Sequence, residues 1–263
     1  MTAAVSVRAA EILAEAHARR ENYQALPPEL RPRSLDQAYA VQAALHNLLT
    51  PRLGRIAGYK IALTSKTMQD FVGIHHPLWG AIFAQTIHAS PATLRHAEFV
   101  HLGIECEIAV RLGRDLPAAR APYSEDTVAA AIETCMPAFE LVEDRRADFK
   151  TLDAFGLVAD NAWNAGIVLG ASLADWRARD LGAARGQLAV NDASAGEGHG
   201  RDALGHPFKA LTWLANGLAE RGLHLARGMV VMTGSIVTTK FLEPGDRARF
   251  VFEGQGEASL TVT

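Results

Sequence analysis

The 263-residue chain is 49% hydrophobic and 21% charged, with a formal net charge of −3. That is ordinary globular composition, long enough for one large domain or two small ones, and it gives no support to a nucleic-acid partner. Basic pairs such as Arg31/Arg33 and Arg145/Arg146 are short and scattered and read as solvated surface. The two cysteines, Cys106 and Cys135, form no Cys-x-x-Cys pair, which argues against a disulfide framework or structural zinc; no apolar run approaches the roughly 20 residues that a bilayer demands.

In chain order, residues ~4–20 are Ala-rich and amphipathic, carry acidic groups and lack an apolar run with a cleavage site, so they predict a surface helix and a cytoplasmic protein. Ser34 and Gln37 form a capping box for a second helix, with Ala38, Val41, Leu45 and Leu48 at helical spacing and Pro51 and Gly54 at its end. From residue 56 the texture becomes short apolar runs between Gly, Pro and Asp. Strands are expected at 56–62, 103–111, 138–143, 164–170, 186–191, 229–233, 247–253 and 257–263, the last two joined through a Gly-rich "EGQGE" turn. Two helices interrupt them. Ser124 caps one, with Val128, Ile132 and Cys135 on a face; Pro207 opens the other, with a Leu211, Leu214, Leu218 stripe and Gly222 closing it. Without regular βαβ alternation, this order predicts an α+β fold with a mostly antiparallel β core.

The chemistry begins in "HLGIECEIAVRLGRDLP", residues 101–117. Ile104, Cys106, Ile108 and Val110 alternate with Glu105, Glu107, Ala109 and Arg111, so two carboxylates share one strand face, roughly 7 Å apart. Such a pair repels unless water, a proton or a cation intervenes, and on an exposed face water alone suffices. A third carboxylate, Glu140, lies in the apolar run "MPAFELVED", where a buried charge is costly without a partner. Three carboxylates converging from two strands suit a hard cation such as Mg²⁺ or Mn²⁺. Lys60 in "GYKIALTSK" either snorkels to solvent or serves a site that needs positive charge. "ADNAWNAG" (159–166) reads as an Asp-Asn turn entering a strand, and "TGS" (233–235) offers backbone donors or hydroxyls to an anion. The Gly-rich "SAGEGHGRDALGHP" lacks the setting of a phosphate loop, the histidines lack recurrent zinc spacing, and no G-x-S-x-G elbow surrounds Ser65 or Ser235.

Taken together, "GYKIALTSKTMQ", "GIECEIAVRLGRDLP", "PAFELVEDR", "VADNAWNAG", "GHPFKALTWLAN" and "TGSIVTTKFLEPGDRARFVFEGQGEASL" resemble, in order, the 2-keto-4-pentenoate hydratase branch of the fumarylacetoacetate hydrolase superfamily, from about residue 34 to the end. The resemblance implies a mixed β-roll behind a helical N-terminal region, divided here as residues 1–80 and a catalytic domain at 81–263. It implies Mg²⁺ or Mn²⁺ held by Glu105, Glu107 and Glu140, catalytic roles for Lys60 and Asp160, and substrate contacts from Lys60, Ser65, Asn161, Thr233 and Ser235. The activity implied is addition of water to a 2-hydroxy-2,4-dienoate, giving a 4-hydroxy-2-oxo acid, in a homo-oligomer able to associate with a pathway decarboxylase. The sister branch, the 4-oxalocrotonate decarboxylases, shares metal site and fold. "TSKTMQ", "DNAWNAG" and "GHP" resemble the hydratase forms, whereas "EDRRADFK" resembles the decarboxylase form. Trp163 departs from both and, if it points inward, favours a small or apolar substrate tail. A non-catalytic partner subunit is the reading from another class.

Overall fold

A computed structural model describes residues 1–252 and 256–263; the centre of the expected "EGQGE" turn lies outside the described residues. Helices α1 (Ala3–Arg19) and α2 (Leu35–Leu53) come first, with the Thr2 and Ser34 side chains accepting from Val5 N and Gln37 N at their open ends. They are followed by β1 (Ile56–Ala62), α3 (Lys66–Val72), β2 (Leu78–Phe83), β3 (Ile87–Ala89), β4 (Ala92–Leu94), β5 (Leu102–Leu112), α4 (Glu125–Ala131), β6 (Ile132–Glu143), α5 (Ala154–Ala159) and β7 (Asn164–Leu169). The chain ends with β8 (Arg185–Val190), β9 (Ala193–His199), α6 (Pro207–Glu220), β10 (Val230–Phe241), β11 (Arg247–Phe252) and β12 (Gly256–Val262).

The strands form two mixed sheets, a seven-stranded one ordered β2-β1-β10-β5-β6-β7-β3 and a five-stranded one ordered β4-β12-β11-β8-β9. Pairing is antiparallel except at β1/β10, β3/β7 and β4/β12. The large sheet is rolled rather than flat. Lys60 on β1 and Glu140 on β6 are three places apart in strand order, which in a flat sheet means roughly 14 Å, yet Lys60 Nζ stands 2.9 Å from Glu140 Oε1. The large sheet therefore draws on β1 and β2, before residue 84, as directly as on β5 and β10.

The two faces of β5 separate as its alternation requires. Ile104, Cys106, Ile108 and Val110 are all buried in the main core, which also holds Phe250 and Phe252 of the small sheet. Ala109 belongs to a second, smaller cluster with Ile82, Ala138, Ile167 and Met232, and this plugs the inside of the roll.

Three expectations need correction. Ile132 and Cys135 are not on the helix capped by Ser124: α4 stops at Ala131, and both residues lie in β6, paired with β5 from Leu112↔Ile132 to Leu102↔Glu143. β-branched Ile132 and Thr134 fit the strand, and tertiary pairing settles it. The Gly-rich 193–199 segment is strand β9, paired with β8. Its glycines allow the two sheets to touch, since a Cβ on Gly198 would lie 1.8 Å from the Ile236 carbonyl oxygen of β10. Arg145, read as solvated surface, is 1% exposed, because Asp160 holds it inside the protein.

Candidate active site

The strand period puts Glu105 and Glu107 on the inner face of the roll, and the β5/β6 register sets Glu140 directly opposite Glu105. One oxygen from each carboxylate lies within 4.8 Å of the others. Glu107 and Glu140 are fully buried and Glu105 is half-buried, so the cluster opens to solvent on the Glu105 side.

Each carboxylate is held by one of its oxygens. Thr239 Oγ1 donates to Glu105 Oε1 at 2.6 Å, and Gly234 N donates to Glu107 Oε2 at 2.7 Å. Lys60 Nζ (2.9 Å) and Asn164 Nδ2 (3.1 Å) both donate to Glu140 Oε1. The opposite oxygens of the two buried groups, Glu107 Oε1 and Glu140 Oε2, have no partner. A buried polar atom without a partner costs about 1–3 kcal/mol, and more when charged.

The local field agrees. Burial, then Glu140 and Glu105, push the Glu107 carboxyl well above the usual carboxylate range. Burial also raises Glu140, against the opposing pull of Lys60. Burial alone would lower Lys60, but Glu140 and Glu105 outweigh it and hold the ammonium above its ordinary value. Three carboxylates thus cluster beside one ammonium, with an oxygen on each of the two buried ones unfilled. That all-oxygen, net-negative donor set fits a hard divalent cation.

The remaining residues singled out in the sequence are placed differently. Ser65 caps α3 by accepting from Met68 N. The Thr233 hydroxyl donates to the Ile108 carbonyl and that of Ser235 to the Val237 carbonyl, so both are turned into the backbone. Asn161 bridges the roll: its Oδ1 accepts from Ala81 N at 2.7 Å and faces His46 Nε2 at 2.7 Å, while its Nδ2 donates to the Ala81 carbonyl. A Cβ on Gly80 would lie 2.3 Å from the Asn161 carbonyl oxygen, so only glycine permits this closure. Asp160 has both oxygens taken, Oδ1 by His17 Nε2 and Oδ2 by Arg145 NH2, each at 2.6 Å. Trp163 is 6% exposed, edge-on to Tyr23 and Phe149, and its Nε1 has no acceptor.

Asn164 and Thr239 were not legible as holders of the carboxylates, which lie 24 and 134 residues away in the chain, whereas the Gly234 amide is one of the backbone donors expected of "TGS", its anion being Glu107, 127 residues away. Shape does not find the site either. Cavities of about 450 Å³ beside Tyr23 and Arg31 and about 410 Å³ beside Tyr39 and Trp79 are lined by none of the carboxylates.

A rolled mixed sheet behind paired N-terminal helices, with a carboxylate triad and a lysine inside the roll, defines an α+β protein whose clustered carboxylates could hold a divalent cation. Residues 68–263 match the family model described as fumarylacetoacetate (FAA) hydrolase C-terminal, and the chain belongs to that family. It is 33% identical over 232 residues to a 2-hydroxyhexa-2,4-dienoate hydratase of Comamonas testosteroni, covering 88% of this chain and 87% of the relative. It is 30% identical over 222 residues to a 4-oxalocrotonate decarboxylase of Pseudomonas putida, covering 84% and 83%. The structure of a 4-oxalocrotonate decarboxylase from Pseudomonas putida G7, complexed with magnesium and adipate, superposes with a TM-score of 0.93 at 26% identity, covering 100% of this chain and 99% of that one.

Proposed function

We propose that this protein is a metal-dependent hydro-lyase that adds water to a 2-hydroxy-2,4-dienoate, giving a 4-hydroxy-2-oxo acid in aromatic catabolism. The observation that carries the reading is the pair of buried, unpartnered oxygens on Glu107 and Glu140, in a carboxylate cluster with Glu105 beside Lys60. Glu105, Glu107 and Glu140 are the residues that hold the cation, Mg²⁺ or Mn²⁺. When bound, it supplies Lewis acidity that draws electron density toward the C2 oxygen of a 2-oxo acid.

Around that centre the chain's own residues divide the work. Thr239, the Gly234 amide and Asn164 fix the rotamers of the three carboxylates, so that little reorganisation accompanies binding. Lys60, buried and charged, offsets the excess negative charge when an anionic substrate enters and offers a proton donor beside Glu140. Asp160 acts as an anchor rather than a base, because His17 and Arg145 occupy both of its oxygens. The fold relative holding magnesium supports Mg²⁺. We further propose a cytoplasmic homo-oligomer, able to associate with a pathway decarboxylase, in which a helix-led region 1–80 frames a catalytic domain at 81–263 and also lends its sheet β1, with Lys60, and the start of β2. No helix among the described residues is long and apolar enough to cross a membrane.

A second reading, decarboxylation of a 2-oxo-3-enedioate on the same carboxylates, is favoured by the whole-chain superposition on a decarboxylase. One experiment separates the two. Purified protein stripped with EDTA is expected to be inactive and to recover with Mg²⁺ or Mn²⁺. In H₂¹⁸O it then places ¹⁸O at C4 of the product from 2-hydroxypenta-2,4-dienoate. Release of CO₂ from 2-oxo-3-hexenedioate, without hydration of the dienoate, establishes the decarboxylase instead. Lys60→Met is expected to fold and bind Mg²⁺ while lowering kcat or raising KM; unchanged kinetics remove Lys60 from the mechanism.

A further inference from the structure

The amide of Asn164 has a fixed orientation. Its Nδ2 lies 3.1 Å from Glu140 Oε1 and 3.4 Å from the Gly166 carbonyl oxygen. Both partners are acceptors only, so the nitrogen must face them and the side-chain carbonyl must face elsewhere. Among the described residues no donor meets Asn164 Oδ1. Glu140 and Lys60 are sealed from solvent, but Asn164 is half-exposed, so this oxygen is a free acceptor beside the carboxylate cluster that water can reach.

The hydrogens of the nearby hydroxyls are committed: Thr233 and Ser235 donate into backbone carbonyls and Thr239 donates to Glu105, while Lys60 only donates and Asp160 is filled, so Asn164 is the amide beside the cluster with its acceptor open. The backbone leading to Asn164 is also held in place. Asn161, Ala162 and Trp163 all have left-handed φ values, 53°, 48° and 59°, and the Asn161 side chain ties the start of this turn to both polar atoms of the Ala81 backbone. A non-glycine turn of that kind persists only where its surroundings over-determine it.

We propose that Asn164 is a catalytic residue of the hydration step, using its Oδ1 to orient the attacking water; this rests on the hydratase reading above. After the dienol has lost its O2 proton and gained a proton at C5, the substrate is a 2-oxo-3-enoate, electron-poor at C4. Water donates one hydrogen to Asn164 Oδ1, which turns a lone pair toward C4. The oxygen–C4 bond forms as the C3–C4 π pair moves into an enolate ending on O2. The hydrogen held by Asn164 stays as the C4 hydroxyl proton, the other water proton leaves to solvent, and C3 takes one proton from solvent as the carbonyl re-forms. The sum is one water added and no net charge change.

Asn164→Ala and Asn164→Ser separate this role from support of Glu140. With 2-hydroxypenta-2,4-dienoate in D₂O at saturating Mg²⁺, followed by NMR, both variants are expected to form the 2-oxo-3-enoate with deuterium at C5 with no more than the roughly tenfold loss that a weakened hold on Glu140 explains. Hydration then slows by roughly 100-fold in Asn164→Ala and less in Asn164→Ser, whose hydroxyl still accepts. Calorimetric Mg²⁺ affinity, read without substrate, stays within about tenfold of wild type, as for loss of one hydrogen bond to a ligand. Unchanged hydration, or ketonisation and hydration falling together in both variants, overturns the proposal. Wild-type protein that releases CO₂ and never hydrates overturns the hydratase reading as well, and that result appears before any substitution is made.

Discussion

Two buried charged clusters stand on adjoining parts of the chain, and they differ in what remains unfilled. At Asp160, one carboxylate meets Arg145 and His17, both of its oxygens are bonded, and the cluster ties α1 to the end of β6 and to α5. At Glu107 and Glu140, carboxylates crowd together, and an oxygen on each has no partner. A closed ion pair is a structural device; a cluster with excess like charge and orphan acceptors has the donor set that suits a cation. Burial does not distinguish them, since Asp160, Glu107 and Glu140 are all 0% exposed. The count of unfilled oxygens does.

The comparison predicts opposite responses to charge removal. Arg145→Met strands the Asp160 carboxylate inside the protein and is expected to cost about 3–5 kcal/mol in chemical denaturation, the range for breaking a buried pair. A loss under about 1 kcal/mol would mean that His17 alone suffices.

The acid limb of stability should show two windows. Burial lowers the His46 pKa from 6.5 to about 4, against a small opposing effect of its bond to Asn161. The unfolded chain therefore binds that proton first, and roughly 3 kcal/mol present above pH 6.5 is lost as pH falls toward 4. Burial would raise Asp160, but His17 and Arg145 outweigh it and hold the pKa at about 2, below the ordinary 3.8. That contributes roughly 2 kcal/mol above pH 3.8, lost as pH falls through about 2. Denaturation of His46→Gln across pH is expected to flatten the first window only, and Asp160→Asn the second only.

Glu107→Gln carries the reverse sign. In EDTA it is expected to raise stability by about 1 kcal/mol, because it removes one of three crowded charges, while weakening Mg²⁺ binding. Destabilisation of the metal-free protein would show that the triad behaves like the Asp160 cluster. The smallest effect is expected from Trp163→Phe, which deletes an unpaired N–H while keeping a ring against Tyr23 and Phe149. Melting should place it within about 1 kcal/mol of wild type. A rise in KM with unchanged stability would show that the indole nitrogen meets substrate.

Much of this molecule was legible from sequence because local periodicity carries it. The alternation of 101–111 placed Glu105 and Glu107 on one face, and the capping residues Ser34 and Ser124 mark helix starts by bonds to amides three residues on. What failed were positions where distant pairing overrode local pattern. Ile132 and Cys135 fit a helix stripe until β5 supplied a strand partner, and glycines 196 and 198 lay outside every expected strand until the closeness of β10 explained them. Arg145 looked like surface charge because its partner, Asp160, lies 15 residues further along.

By itself, then, the sequence determined which side chains alternate, where helices open and which carboxylates occupy apolar runs, all consequences of backbone period and burial cost. Only tertiary structure decided which oxygen of each carboxylate is held and which is left free. That depends on the curl of the large sheet, which brings β1 to β6, and on donors from Asn164, Gly234 and Thr239, whose distance along the chain leaves no local signature.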